Sequence, residues 1–174
     1  MDNTPIEFCH LSTPLGTLRI EATDAGVCAI RFLDRQPAER RRAPRGHTEV
    51  EEHLRATRAQ LSEYFRRRRK EFELELDLRG TDFDVEVWQL LLEIPFGRTR
   101  SYGQIARELG GIERARAVGG ACSRNPVSVV VPCHRVIGSD HDLTGYGGGL
   151  PRKEKLLRLE GASFAAPQLG LFDS

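Results

Sequence analysis

The hydrophobic period changes at Gly80-Thr81-Asp82, and that change limits the possible folds more than any other feature of the chain. Before it, apolar residues recur at every second position. Leu18, Ile20 and Ala22 alternate with Thr17, Arg19 and Glu21, and Phe72, Leu74, Leu76 and Leu78 alternate with Glu71, Glu73, Glu75 and Asp77. Both patterns predict half-buried strands. Val27–Leu33, following Asp24-Ala25-Gly26, predicts the second arm of a hairpin, and Leu11–Gly16 reads as the turn that enters it. Residues 34–47 read as a polar loop. Thr48 and Glu51 form a capping-box pattern that opens a helix carrying Val50, Leu54, Leu61 and Phe65.

Beyond Gly80 the period becomes helical. Phe83, Val87, Leu91 and Ile94 share a face, with Trp88 and Leu92 adjoining, and Pro95 and Gly97 end the run. Ser101 and Gln104 form a second capping box, followed by a Gly110-Gly111 stop and a short helix over Glu113–Ser123. Ser128–Val131 reads as an extended apolar run ending at Pro132. Pro151 suits a helix start, Leu156, Leu157 and Leu159 supply its contacts, and Gly161 suits its end. The expected architecture is α+β. Residues 1–80 form a small antiparallel sheet with a helix, residues 81–161 a mostly helical domain, and residues 162–174 a flexible tail.

Charge needs reading by position. Lys and Arg total 26 against 25 Asp and Glu, which taken alone argues against a nucleic-acid partner. Within Arg98–Arg135, however, seven arginines face only Glu108 and Glu113. The helix pair there has the size and spacing of a helix-turn-helix. On its second helix Ala115, Val118 and Cys122 cluster on one side, whereas Arg116, Ala117, Gly120, Ser123 and Arg124 cover much of the other. Such a face suits a phosphate backbone or groove, and it equally suits a packed helix pair with solvated arginines. Tyr102 reads as a core residue or a stacking group. Two other basic runs read as ordinary surface. Arg40–Arg42 with Arg45 lies beside Pro37, Pro44 and Gly46 as a solvated loop, and Arg66–Lys70 complements a helix carboxyl end. No stretch approaches the roughly 20 apolar residues of a membrane span. The amino end MDNTPIEFCH lacks the pattern of a secretory signal.

The four cysteines, Cys9, Cys28, Cys122 and Cys133, include no C-x-x-C pair, so free thiols in a reducing cytosol are expected. Val129-Val130-Val131-Pro132-Cys133-His134-Arg135-Val136 is the most informative segment. Pro132 biases Val131 toward extended geometry, which places Cys133 where a strand gives way to a turn. A nucleophilic thiol needs a base or nearby cations, and His134 and Arg135 are of the right types. Adjacent side chains in an extended segment point apart, so a bridging water would link Cys133 to His134. A structural role for the Cys-His pair also fits. Glu160 sits at a helix carboxyl end that disfavours a carboxylate; an imidazole partner, or solvent, would offset that.

Taken together, Ser101-Tyr102-Gly103-Gln104-Ile105-Ala106, Ala115-Arg116-Ala117-Val118-Gly119-Gly120-Ala121, Asn125-Pro126, Pro132-Cys133-His134-Arg135-Val136, Gly145-Tyr146, Gly148-Gly149-Leu150 and Leu159-Glu160-Gly161 resemble the O6-alkylguanine-DNA alkyltransferases. The resemblance covers roughly residues 81–161 in unbroken order, and Thr13-Pro14-Leu15-Gly16 resembles the opening of the family's amino domain. It implies a ribonuclease H-like amino domain, a winged-helix-like second domain and base flipping. It also implies that Cys133 accepts the alkyl group, His134 takes the thiol proton through water and Glu160 holds the imidazole. Tyr102 would donate toward guanine N3, Asn125 would brace the turn, and Val136, Tyr146 and Gly147 would line the base pocket. Arg116 would fill the gap left by the flipped base from a minor-groove helix, and Ala115, Gly120, Arg124 and Ser139 would also meet DNA. The implied protein is a monomer of the bacterial cytosol or nucleoid that uses no cofactor. Some relatives hold zinc in the amino domain through two Cys and two His. That quartet cannot be assembled from Cys9, Cys28, His10, His47 and His53, so no metal is expected. Gln168, Leu169, Leu171 and Phe172 resemble the motif by which bacterial repair proteins dock on the sliding clamp. The competing readings are a noncatalytic helix-turn-helix damage sensor or regulator, and a cysteine hydrolase. The hydrolase lacks a separated base and an evident oxyanion site.

Overall fold

The computed structural model describes residues 5–42 and 45–165. The proposed clamp motif at 168–172 lies outside them. Three strands, β1 (Glu7–Thr13), β2 (Gly16–Thr23) and β3 (Gly26–Phe32), form an antiparallel meander in sequence order. β2 is the centre, with Cys9 opposite Ile20 on one side and Ile20 opposite Ile30 on the other. Helix α1 (Glu49–Phe65) packs on the sheet through Leu54, Thr57, Leu61 and Tyr64. Its capping box forms as the sequence predicts: the Thr48 hydroxyl accepts from the Glu51 N–H, and the Glu51 carboxylate accepts from the Thr48 N–H.

Three sequence expectations need correction here. Leu11–Thr13 belongs to β1 and is not a turn; only Pro14-Leu15 make the connection, held by the Thr13 hydroxyl on the Gly16 carbonyl at 2.7 Å. β1 has no alternating signature because Cys9, His10 and Leu11 are buried in succession. Residues on both sides of the strand cover them: the His10 N–H donates to the Arg41 carbonyl at 2.7 Å, so the 40–42 loop is docked on the β1 edge although its side chains are exposed. Phe72–Leu78 keeps its alternation of burial, yet it joins the sheet through a single parallel bridge, Leu76 to Val27. That approach brings the Glu75 carbonyl so close to Gly26 that a Cβ there would stand 2.5 Å from it, and φ of 142° at Gly26 also requires glycine. Ser128–Val131 is a tight turn and not a strand. The Val131 N–H closes on the Val127 carbonyl, and buried Val129 adopts φ 75°, a conformation that costs a β-branched residue about 1–3 kcal/mol. Tertiary pairing overrides valine's strand preference there. Ile30 exchanges backbone bonds with Pro126 and Ser128, and the chain must then reverse to bring Cys133 inward.

Past Thr81, which caps α2 (Asp82–Leu92), the chain is helical. Val87, Trp88 and Leu91 are buried, but Leu92 lies outside the stripe and is 42% exposed. A short strand β4 (Arg100–Ser101) precedes α3 (Tyr102–Glu108), which opens on the predicted Ser101–Gln104 capping box. A 3-10 turn (Ile112–Arg114) leads into α4 (Ala115–Ser123), and the Trp88 indole N–H fixes α4 to α2 by donating to the Ala121 carbonyl at 2.9 Å. Cys133–Arg135 form a second 3-10 turn, followed by β5 (Val136–Ile137), parallel to β4. The last element, α5 (Leu150–Glu160), has Pro151 in its first turn and Gly161 at its end. One continuous core joins sheet, α1, α2, α4 and α5. No described helix is long and apolar enough to cross a membrane.

Candidate active site and nucleic-acid interface

Cys133 stands at the start of its 3-10 turn at 6% exposure, and opens onto a cavity of about 170 Å³. Tyr102 from α3, Gly119, Cys122 and Ser123 from α4, and Thr144–Gly147 complete the walls. Asn125 sets the thiol. Its side-chain N–H donates to the Val131 carbonyl at 2.8 Å and to Cys133 Sγ at 3.1 Å, while its carbonyl oxygen accepts from the Val127 N–H. Burial pushes the thiol pKa up, and the Asn125 bond, the Lys153 charge and backbone N–H groups oppose that rise. The resting group is a thiol that needs a base.

Behind Cys133 lies a buried charge cluster. Glu160 Oε1 accepts from His134 Nε2 at 2.8 Å, Tyr64 Oη at 2.6 Å and Arg135 Nη2 at 2.9 Å; Oε2 accepts from Arg135 Nε at 2.9 Å and the Gly97 N–H at 3.2 Å. Burial raises the Glu160 carboxyl, but hydrogen bonds from His134 and Arg135 and the Arg135 charge outweigh it and hold the group well below the carboxylate range. Gly97 (φ 76°) must be glycine, since a Cβ there would stand 2.9 Å from the Glu160 carbonyl. Burial lowers the His134 pKa despite the carboxylate beside it. The imidazole is therefore neutral, donates through Nε2 to Glu160 and carries its lone pair on Nδ1, which is buried without a protein partner. That arrangement is able to accept a proton. Tyr102 donates its hydroxyl to the Thr144 carbonyl at 3.0 Å, and burial raises its pKa to about 12, so it remains a proton donor.

The proposed DNA face is less uniform than its arginine count suggests. Arg116 and Ala117 are exposed on α4, with Ala115 and Gly120 half-buried beside them. Arg124 makes a forked ion pair with Asp84, Nη2 to Oδ1 at 2.6 Å and Nε to both oxygens. Arg100 pairs with Glu108, and Arg135 is buried on Glu160. Ser139 is exposed on a turn beside Arg100 and Arg107. Val136 is not in the cavity wall; it is fully buried, and its carbonyl accepts from Lys153. Tyr146 and Gly147 do line the cavity. Among the described residues no group of three or more His, Cys, Asp or Glu has the placement of a metal site, and all four cysteines are free.

The chain matches known proteins along nearly its whole length. Residues 9–78 match the ribonuclease-like domain of 6-O-methylguanine DNA methyltransferase, and residues 82–162 match the DNA-binding domain. A methylated-DNA–protein-cysteine methyltransferase of Mycolicibacterium paratuberculosis is 46% identical over 168 residues, 97% of this chain and 99% of that protein. The chain belongs to the 6-O-methylguanine DNA methyltransferase family. A member from Methanosarcina acetivorans is 41% identical over 89% of this chain and 98% of its own length. The crystal structure of Mycobacterium tuberculosis O6-methylguanine methyltransferase superposes with a TM-score of 0.77 at 42% identity, over 97% of this chain and all of that one. M. tuberculosis OGT in complex with DNA gives 0.77 and 42% over 88% of this chain and 92% of that one.

In this methyltransferase scaffold, sequence reasoning missed Tyr64, Arg135 as a buried ion-pair partner, and Lys153. The amino-terminal half supplies Tyr64 to the Glu160 cluster. A signal for the other missed group was present. Lys153, Leu156, Leu157 and Glu160 form the buried stripe of α5, so two charges sit at core positions of one helix. Lys153 Nζ donates to the carbonyls of Val136, Thr144 and Gly145 at 2.5, 2.8 and 3.1 Å. It therefore ties the cavity wall to the strand that follows Cys133.

Proposed function

We propose that the protein reverses O6-alkylguanine damage in DNA by moving the alkyl group irreversibly to Cys133. The observation that carries this reading is the sequence of groups behind the thiol: a buried cysteine on a cavity, a neutral imidazole with a free Nδ1, and a carboxylate that fixes its tautomer. His134 Nδ1 takes the thiol proton through a water, the sulfur attacks the alkyl carbon, and the C–O6 bond breaks. Tyr102 donates a hydrogen bond to N3 of the departing guanine as negative charge develops there, and the proton that His134 took from the thiol is returned through water to neutralise the freed base. The target base must leave the stack to reach a cavity this enclosed. Arg116, exposed on α4, fills the vacated position from the minor groove, and the small residues Ala115, Ala117 and Gly120 let the helix approach the backbone. Arg124 serves DNA indirectly, holding the end of α4 to Asp84. The S-alkyl cysteine has no route back to a thiol, so each molecule acts once.

A second partner is carried by sequence alone: Gln168, Leu169, Leu171 and Phe172 dock on the sliding clamp, a reading that undiminished clamp binding after deletion of 168–172 would exclude.

The test compares a duplex containing O6-methylguanine with the free base. The protein is expected to remove one methyl per molecule from the duplex. Arg116→Ala is expected to slow duplex repair roughly tenfold or more, by loss of the group that offsets unstacking, and to react with the free base at the unaltered rate. Tight duplex binding with no methyl removal would establish a damage sensor instead.

A further inference from the structure

A second cavity, of about 470 Å³, lies in the amino-terminal half and shares no lining residue with the Cys133 pocket. β1 contributes His10 and Ser12, the docked loop contributes Arg40, Arg41 and Arg42, α1 contributes Arg58 and Ser62, and Arg66, which caps its carboxyl end, continues their four-residue spacing. No carboxylate lines it. Among the described residues none of these five arginines forms an ion pair.

The loop backbone is held in place, although the side chains of residues 40–42 are exposed. The loop backbone clasps His10 from both sides: the His10 N–H donates to the Arg41 carbonyl at 2.7 Å, and the Arg41 N–H donates to His10 Nδ1 at 3.0 Å. Arg40 donates to the Ser12 hydroxyl at 2.7 Å and to Gln36 at 3.1 Å. Arg58 Nε is buried with no hydrogen-bond partner. Like charges gathered by backbone bonds, with an unused buried donor among them, are a site built for an anion. Guanidinium forks match the spacing of phosphate oxygens, and the serine hydroxyls add neutral donors.

We propose that this pocket binds a phosphate group, supplied by the DNA backbone beyond the stretch engaged by α4. The phosphate chemistry stands on the pocket alone; DNA as its source rests on the DNA-repair reading above. Arg41→Gln/Arg42→Gln changes two exposed loop side chains, and Arg58→Gln removes the buried donor. Calorimetry with inorganic tripolyphosphate is expected to show binding at low salt that weakens roughly tenfold or more in either variant. On a long duplex the slope of log affinity against log salt is expected to fall by about 0.9 in the loop variant, the contribution of one phosphate contact. On a duplex just covering α4 the slope is expected to be unchanged, as is reaction with free O6-methylguanine. Tripolyphosphate binding that the variants lose, with no change in the long-duplex slope, would keep the phosphate site and make free polyphosphate its source. No tripolyphosphate binding together with unchanged slopes in both variants would overturn the proposal. The free-base rate keeps this result separate from any failure of the alkyl-transfer reading.

Discussion

Glu160→Ala is expected to destabilise the protein by about 3–5 kcal/mol, the usual cost of leaving one member of a buried ion pair unpartnered. At this chain length that corresponds to a fall of roughly 10 °C in Tm. The reason lies in the number of groups that converge on one carboxylate. Arg135 is 6% exposed, and it also donates to the Ile94 carbonyl. Without Glu160 its charge, the Tyr64 hydroxyl and the Gly97 N–H all lose their acceptor in the interior. Repair is expected to slow by roughly a hundredfold or more even at temperatures where the variant stays folded, because His134 loses the bond that fixes its tautomer. Glu160→Gln separates the two effects, since it keeps the volume and loses the charge. The folded pKa of Glu160 is depressed, so its contribution to stability is fully present above the ordinary carboxylate value of 4.5 and is lost as pH falls below it. Denaturant unfolding from pH 7 down to pH 3 should show a steeper loss for the natural protein than for Glu160→Gln; parallel curves would remove Glu160 from the account of acid sensitivity.

Lys153→Met is expected to reduce alkyl transfer by roughly a hundredfold with far less effect on stability. Lys153 is fully buried, and burial lowers its pKa to about 8. Removing a desolvated charge relieves a cost, which offsets part of what the three lost carbonyl bonds supplied. Function has no such compensation. The Thr144–Gly145 wall loses its tie to Val136, a displacement of the kind that costs about two orders of magnitude in positioning. Cys133 also loses a nearby cation that favours its thiolate. The charge on Lys153 disappears as pH rises through about 8, so the transfer rate of the natural protein should fall away above that pH, and the Met variant should lack this limb. An equal alkaline decline in both would assign the limb to another group.

What could be read from the sequence follows the range of the interactions involved. Both capping boxes are contained within four residues, and each forms as their spacing predicts. The three-stranded sheet and α1 lie before the period change at Gly80, and α2 to α5 lie after it. Elements whose form depends on distant partners were read less well. Phe72–Leu78 has the side-chain rhythm of a strand, but the number of ladder bonds it makes depends on how β3 meets it. Val129–Val131 has strand residues in a turn, because Ile30 pairs with the residues just before them. The Glu160 cluster draws on α1, the Gly97 turn and the Cys133 segment, up to 96 residues apart in the chain, so no local pattern shows it as a whole. The seven-arginine stretch overstated the exposed charge for the same reason: Asp84 and Glu160, which neutralise Arg124 and Arg135, lie outside it.

The cavity holds two thiols, and they are not equivalent. Cys122 is pushed up to about 12 by burial, whereas Cys133 has Asn125 on its sulfur and the His134–Glu160 pair behind it. The most direct measurement is therefore intact-protein and peptide mass analysis after incubation with a duplex containing O6-methylguanine. The structure predicts a single methyl group per molecule, located on Cys133, with Cys122 unmodified. A methyl group on Cys122, or an unmodified protein that has bound the duplex, would contradict it.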